Sequence, residues 1–218
     1  MLKTESLILL ILFLICAAAD VFAVASAKPR AERIAKPLLM PLLLAFYLTA
    51  AKAPERFLVL ALVCGFLGDT FLLGSGAWFA CGLAAFLLGH ACYLAAFLRP
   101  MDFAALPPSF WVSGLLAYVL YGLVACRRIL PRAEAKLRPA VFVYLVFLLG
   151  MSCAALLRLS YAQGTAFWLP FLGSLLFVAS DTMLALRIFT QKSPRNSGAA
   201  VMVTYSLAQL FLVAGFLA

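Results

Sequence analysis

The strongest constraint on this chain is a succession of eight apolar stretches joined by short polar connections. They cover residues 7–25, 38–51, 57–74, 77–98, 109–126, 139–157, 166–189 and 199–218. A helix needs about 20 apolar residues to cross the hydrocarbon layer of a bilayer, and most of the stretches approach that length, although the second must borrow flanking residues. We therefore predict an all-α, polytopic membrane protein with about eight transmembrane helices, forming a single integral membrane domain over residues 1–218.

The composition excludes the commonest soluble functions. Hydrophobic residues make up 67% of the chain and charged residues 11%, whereas a soluble domain is about half apolar and a quarter charged. The net charge of +9 is therefore read as a property of membrane loops, and no nucleic-acid partner is expected. The six cysteines lie inside the apolar stretches without CxxC spacing, which predicts neither a disulfide framework nor a metal site.

Basic residues collect on one side of the predicted helices, in the connections 1–2, 5–6 and 7–8. The positive-inside rule makes this side cytoplasmic and places both termini outside, as expected in the inner (cell) membrane of a bacterium. Ala25-Ser26-Ala27 resembles a signal-peptidase site, but Asp20 interrupts the preceding apolar run and favours a first transmembrane helix. The cytoplasmic side carries Lys28, Arg30, Arg33, Lys36, Arg127, Arg128, Arg132, Lys136, Arg138, Arg187, Lys192 and Arg195. The other side carries Lys3, Lys52, Arg56, Arg99 and Arg158.

Two short segments suggest that the chain is built from two related halves. Residues 68–72 (Gly-Asp-Thr-Phe-Leu) resemble residues 180–184 (Ser-Asp-Thr-Met-Leu), and the same spacing relates Tyr93 to Tyr205. Because each half has four helices, the halves would share one orientation in the membrane. The pattern favours two parallel four-helix repeats, with unrelated halves as the alternative.

Several polar side chains fall in the cytoplasmic half of the predicted helices. Asp20, Asp69 and Asp181 lie about 7.5 to 12 Å deep at 1.5 Å of rise per residue. An ionisable group at that depth is costly unless it faces the bundle interior or a wet cavity, so each is a functional candidate. The other polar candidates are Lys36, His90, Tyr93, Tyr144, Tyr205 and Gln209.

A structural role is the alternative for each candidate. Asp69 and Asp181 would then join helices through Lys36 or hydroxyl groups, and Asp20 is expected to pair with Lys28 or Lys36. His90 is explained equally well as a buried residue whose hydrogen bonds are made inside the bundle and as a catalytic residue. No second histidine is present to complete a metal site. The remaining tyrosines and Gln209 also suit interhelical hydrogen bonds.

Two aspartates in a poorly hydrated cavity would not ionise equally, so one acts as an acid and the other as a base. That asymmetry suits hydrolysis by protonation of a poor leaving group or an electron-rich double bond. The sequence has no GxSxG, HExxH or glycine-rich phosphate loop, which removes the commonest nucleophilic and metal-dependent hydrolases.

An ordered series of short motifs resembles the YhhN-type membrane proteins, the family that includes the lysoplasmalogenases. The motifs extend from predicted helix 2 to predicted helix 8. They are Lys36-Pro37-Leu38, Met40-Pro41-Leu42-Leu43, Gly68-Asp69 with Leu72-Leu73, Gly89-His90 with Tyr93, Ser180-Asp181, and Tyr205 with Ala208-Gln209.

The resemblance implies an eight-helix enzyme that hydrolyses the vinyl-ether bond of lysoplasmalogens without a metal or organic cofactor. A lysophospholipid would enter from the membrane. Our hypothesis is that one aspartate donates the proton, with Asp181 favoured, and that the other, Asp69, stabilises the oxocarbenium ion and guides water; which of the two is the acid stays open at this point. Lys36 would hold the phosphate, and His90 or Tyr144 would orient water or a carboxylate. Tyr93, Ser180, Tyr205, Gln209 and Asp20 would support the site. The oligomeric state is left open.

A proton-coupled small-molecule transporter is the alternative from another class, because buried carboxylates also form proton relays. Matched proline or glycine breaks near the middle of the membrane would favour it. Pro41 and Pro170 instead fall near predicted helix ends, at unmatched positions. A purely structural membrane protein is the third reading.

Overall fold

The computed structural model describes residues 3–102, 104–105, 107–190 and 196–218, apart from the side chain of Trp111. Within them the chain forms eight α-helices, and no strand, which confirms the all-α prediction. Short 3₁₀ turns follow the fifth and sixth helices, at Leu130–Arg132 and Arg158–Ser160. The helices are α1 Thr4–Ala25, α2 Pro29–Ala50, α3 Arg56–Phe71, α4 Ala77–Leu98, α5 Pro108–Ile129, α6 Arg138–Leu157, α7 Thr165–Thr190 and α8 Ser197–Leu217.

Seven of these helices are long and apolar enough to cross a membrane, and the protein is an integral membrane protein. The exception is α3, whose 16 residues span about 24 Å against a hydrocarbon layer of about 30 Å. Lys192 and Arg195, which entered the orientation argument, lie outside the described residues. The inside and outside assignment stays a prediction.

Two helix boundaries differ from the predicted ones, and both differences shape the site. The predicted start of helix 2 was wrong, because α2 begins at Pro29 and includes Arg30, Arg33 and Lys36 within the helix. Proline suits the first turn of a helix, where its missing N–H has no intrahelical partner. Pro41 therefore lies in the middle of α2 and not near its end.

The second difference concerns α3, which ends at Phe71 and not at residue 74. Residues 72–76 form a turn, in which Gly76 adopts a φ of +61° that favours glycine. The early end leaves Asp69 in the last turn of its helix.

Seven helices form a closed ring, in the order α1, α2, α3, α4, α6, α7, α8 and back to α1. Close helix approach depends on small residues on α3, α7 and α8. A Cβ on Gly68 would meet the ring of Phe86 at 2.6 Å, and one on Gly173 would meet the carbonyl oxygen of Ala208 at 2.9 Å. Membrane helices pack through such positions because lipid supplies no hydrophobic force between them.

The remaining helix, α5, lies outside the ring against α6 and α7. Most of its apolar side chains are exposed, as expected for a helix that faces lipid. Its polar links to the ring include Tyr118 to Ser152 on α6 at 2.8 Å and Tyr121 to Thr182 on α7 at 2.7 Å. Thr182 directly follows Asp181, so α5 borders the candidate site.

Candidate active site

The carboxylate of Asp181 is the centre of a polar cluster inside the ring. It lies on α7, and its Oδ2 accepts a hydrogen bond of 2.5 Å from the hydroxyl of Tyr144 on α6. His90 Nε2 on α4 lies 3.2 Å from the same oxygen and 3.1 Å from the Tyr144 hydroxyl. Oδ1 accepts no hydrogen bond from a described residue. Two neighbouring helices, α4 and α6, thus hold one oxygen of Asp181 and leave the other available.

The hydrogen bonds define which nitrogen of His90 carries the proton. The single Tyr144 proton points to Asp181, so both oxygens near Nε2 are acceptors and Nε2 must donate. Nδ1 is buried without a partner among the described residues. The arrangement therefore positions His90 to orient the carboxylate through Nε2.

A cavity of about 70 Å³ opens beside Asp181, and we call it the Asp181 cavity. Asp181, Tyr144 and Thr182 are its polar residues. Its other walls are apolar or thiol side chains of α4 to α7 and of the turns after α3 and α5, such as Phe86, Leu145 and Leu184. The Asp181 side chain is 10% exposed. This lining suits an apolar segment beside a reactive bond better than a polar metabolite.

A second and larger opening of about 790 Å³ adjoins the Asp181 cavity at one end of the bundle. Leu72, Phe79, Leu184 and Ile188 line both. The larger opening also has three charged residues, Glu32, Lys36 and Arg187, and we call it the charged cleft. An amphiphilic molecule could therefore place a charged end in the cleft and an apolar chain in the cavity.

Asp69 has a different environment, although it is predicted as the partner of Asp181. It is 1% exposed, lines neither opening, and accepts a hydrogen bond of 2.8 Å from the hydroxyl of Tyr205 on α8. The ring of Phe177 packs edge-on against both Tyr205, at 5.5 Å between centroids, and His90, at 4.8 Å. Asp69 thus lies behind the Asp181 cluster, with an aromatic layer between them.

Asp20 is completely buried, and neither of its carboxylate oxygens has a hydrogen-bond partner among the described residues. The expected ion pair with Lys28 or Lys36 is wrong, since no such pair forms in this part of the chain. Lys36 nevertheless lies close enough to interact electrostatically with both Asp20 and Asp69. Because α2 begins early, Lys36 is two turns into the helix, where it reaches the charged cleft.

Three other candidates join helices and do not line either opening. Tyr93 on α4 donates a hydrogen bond of 2.5 Å to Gln209 Oε1 on α8. Ser180, next to Asp181, donates to the carbonyl oxygen of Val201 on α8 at 3.1 Å. All three are buried, so a supporting role in the site would act through the packing of α8.

Sequence reasoning missed two of the charged groups that line the cleft. Arg187 was counted only as an orientation charge, and Glu32 was not considered at all. The position of Glu32, one helical turn before Lys36, was the available signal, but it has meaning only if α2 begins at Pro29.

No group of three His, Cys, Asp or Glu side chains comes together as a metal site in the described part of the chain. Chemistry at Asp181 that uses no metal stays a prediction.

Comparisons with known proteins agree with the family resemblance of the motifs. Residues 31–216 match the model of the YhhN family. A lysoplasmalogenase of Mycobacterium bovis is 33% identical over 168 residues, which cover 74% of this chain and 60% of the relative. The human lysoplasmalogenase TMEM86B is 34% identical over 153 residues, covering 70% of this chain and 59% of the relative. The bovine lysoplasmalogenase TMEM86A is 31% identical over 175 residues, covering 78% and 68%.

The chain therefore spans about 60% of the length of the mycobacterial and human relatives that it matches. No solved structure matches. The matched region begins in α2 and continues into α8, and so contains the residues of the Asp181 cavity, the three charged residues of the cleft and the Asp69 pair. With most of its length matched by one family model, this chain belongs to the YhhN family.

Proposed function

We propose that this protein hydrolyses the vinyl-ether bond of lysoplasmalogens, releasing a fatty aldehyde and a glycerophospho-base. The observation that carries the proposal is the Asp181 carboxylate, which has one oxygen held by Tyr144 and His90 and lines an apolar cavity beside a charged cleft. The relatives named as lysoplasmalogenases support the same substrate class.

The first step is transfer of a proton from Asp181 Oδ1 to the vinyl-ether carbon that does not bear the oxygen. The π electrons of the double bond form the new C–H bond, and the cation that remains is shared between the second carbon and the ether oxygen. Tyr144 and His90 hold Oδ2, which leaves Oδ1 as the oxygen that can carry the proton. General acid catalysis of this kind contributes about 10²- to 10⁴-fold in rate.

The second step adds water to the oxocarbenium ion. The ionised Asp181 takes one proton from the water as its oxygen bonds to the cationic carbon, and this restores the acid. The resulting hemiacetal then breaks its bond to the glycerol oxygen, which takes up the hydroxyl proton, and releases the aldehyde. One water is consumed, and Asp181 returns to its starting state. A carboxylate near the cation also stabilises it electrostatically in a site of low polarity.

Asp69 acts in this proposal as a positioning residue. It lies behind Phe177 and the Tyr205 ring and lines neither opening, so it influences Asp181 through charge and packing. The expectation that Asp69 guides water directly predicts a larger loss of turnover on its substitution, and the Asp69→Asn variant tests this difference.

The substrate would approach from the side of α5, where the exposed apolar surface faces lipid. Cys126, Ile129 and Leu130, in α5 and the turn after it, line the Asp181 cavity. A single-chain lipid diffusing in the inner leaflet could thus insert its alkenyl chain without leaving the membrane. Lys36 and Arg187 in the charged cleft belong to the basic residues predicted to face the cytoplasm, which supports a cytoplasmic position of the cleft.

The test uses purified protein in neutral detergent with three lysolipids that share a headgroup but have an alkenyl, alkyl or acyl chain. We expect aldehyde release from the alkenyl lipid alone, because only its double bond can be protonated to an oxocarbenium ion. Added chelator should leave the rate unchanged. A protein inactive on the alkenyl lipid that instead accumulates a solute in liposomes would contradict the proposal and favour the proton-coupled transporter.

A further inference from the structure

The charged cleft carries both signs of charge within one opening. Glu32 and Lys36 lie one turn apart on α2, and Arg187 comes from the end of α7. Residues at this spacing often pair on a helix surface, yet neither Glu32 nor Lys36 forms an ion pair with a described residue. Within the described part of the chain, neither charge is neutralised by a paired side chain, so both can contact a ligand.

We infer that this cleft binds a zwitterionic phospho-base headgroup, with Lys36 and Arg187 on the phosphate and Glu32 on the cationic amine. The inference rests on the proposed lysolipid substrate and deepens it. A phosphate and an ammonium joined by a two-carbon bridge need opposite charges within one small site. Two cations and one carboxylate in an opening of about 790 Å³ satisfy that requirement.

The position of the cleft supports the assignment. Leu72 and Leu184 line both the cleft and the Asp181 cavity, so the glycerol backbone would pass between them. A headgroup in the cleft then places the adjoining vinyl ether beside Asp181. Binding energy from the headgroup would orient the reacting bond, as remote contacts commonly do in enzymes.

The Arg187 guanidinium occupies space that is open because Gly198 has no side chain. A Cβ at Gly198 would clash with the Arg187 guanidinium and lie 2.9 Å from Cγ1 of Val24. Gly198 is the second residue of α8 and also lines the cleft. The guanidinium therefore packs directly over the start of α8, and an added methyl group would displace it without changing any charge.

The general basic bias of cytoplasmic loops explains Lys36 and Arg187 but does not explain Glu32. Orientation in the membrane depends on lysine and arginine, and acidic residues contribute little to it. A cleft that only attracted anionic lipid would gain from a neutral or basic residue at this position. Glu32 is thus the residue that distinguishes a zwitterion site from an anion site.

The experiment measures binding of two alkyl-ether lysolipids, one with a phosphoethanolamine headgroup and one ending in phosphate. Neither has the double bond, so binding is measured without turnover. We expect Glu32→Gln to lower the affinity for the phosphoethanolamine lipid about tenfold, because a charge-assisted hydrogen bond is lost. The affinity for the phosphate lipid should stay the same or rise. Glu32→Asp should restore part of the preference.

Lys36→Gln and Arg187→Gln should lower the affinity for both lipids. Gly198→Ala should have the same effect as Arg187→Gln, because it displaces the guanidinium. The matched control is Arg127→Gln, which removes an exposed arginine that does not line the cleft and should change neither affinity. The thermal unfolding midpoint of each variant is measured to check that the fold is retained.

Equal weakening of both lipids by Glu32→Gln, or no change in either, would overturn the inference. The proposed activity is read separately from aldehyde release. Binding preference without cleavage of the alkenyl lipid would refute the hydrolase and keep the headgroup site. Cleavage of the alkenyl lipid with no effect of Glu32→Gln on binding would keep the hydrolase and refute the headgroup site.

Discussion

Asp69 and Asp181 occupy corresponding positions in two similar segments, yet their surroundings differ. Asp69 is 1% exposed and bound by one tyrosine, and it lines neither opening. Asp181 has a side chain that is 10% exposed, two polar partners and a place in the cavity wall. Both aspartates are polar groups inside a membrane bundle, and access to a cavity is what separates a candidate acid from a buried charge.

The two aspartates also share a feature, because each is bound across the halves of the chain. Asp69, on α3, accepts from Tyr205 on α8, and Asp181, on α7, is bound by His90 on α4. Such an exchange is what two related four-helix halves would produce, and the repeat stays a prediction. The partners differ chemically, since a tyrosine donates at one site and a histidine and a tyrosine meet at the other.

The largest expected effect is that of Asp181→Asn. The amide cannot deliver a proton to carbon, so we expect the rate of aldehyde release to fall about 10³-fold with little change in lipid affinity. Single-turnover rates and binding of the alkyl-ether lipid measure the two quantities. A variant that retains full turnover would remove Asp181 from the reaction.

Tyr144→Phe and Tyr205→Phe form a matched pair, since each removes one hydroxyl from one aspartate. Loss of the Tyr144 hydrogen bond leaves Asp181 Oδ2 with His90 alone, and we expect turnover to fall about tenfold. Tyr205→Phe leaves the buried Asp69 without its hydrogen-bond donor. It should therefore lower the unfolding midpoint, with a smaller loss of turnover than Tyr144→Phe causes. Equal losses of turnover in the two variants would argue against separate roles.

Asp69→Asn keeps an oxygen that accepts from Tyr205 but removes the charge. As a positioning residue behind the aromatic layer, Asp69 should contribute about fivefold to turnover, or about 1 kcal/mol. The measurement is kcat and KM compared with Asp181→Asn in the same detergent. A loss as large as that of Asp181→Asn would show that Asp69 takes part directly, as the motif comparison implies.

Asp20→Asn should have the smallest effect. Because neither Asp20 oxygen has a hydrogen-bond partner among the described residues, the substitution breaks no hydrogen bond with them. We expect the unfolding midpoint to change by about 2 °C or less and turnover to stay within twofold of wild type. A marked drop in turnover alone would reveal an Asp20 partner that forms with substrate, whereas a marked drop in the midpoint would reveal a partner in the free protein.

The fold was largely predictable, because the property that decides it is local. Apolar runs of the right length identify helices wherever they occur along the chain, and α4 has the predicted bounds, Ala77–Leu98. The errors came where apolarity and helicity differ. The basic first turns of α2 are helical without being apolar, and the apolar residues after Phe71 are not helical.

The candidate site was predictable as a set of residues but not as an arrangement. Motif order and burial in the membrane selected Asp69, Asp181, His90 and Tyr144, and the structure joins the last three in one cluster. The expected ion pair of Asp20 did not form. Glu32 was not identified as a candidate, because its position one turn before Lys36 matters only if α2 begins at Pro29, and hydropathy does not mark that start.

The sequence by itself determined that this protein is a helical membrane bundle with a few ionisable groups in its interior. Only the tertiary structure decided which aspartate meets a cavity and which is sealed. His90 and Asp181 are 91 positions apart, and Tyr205 and Asp69 are 136 apart. Contacts over such separations depend on how each helix is rotated against its neighbours, and that rotation follows from packing across the ring, which no short segment of sequence contains.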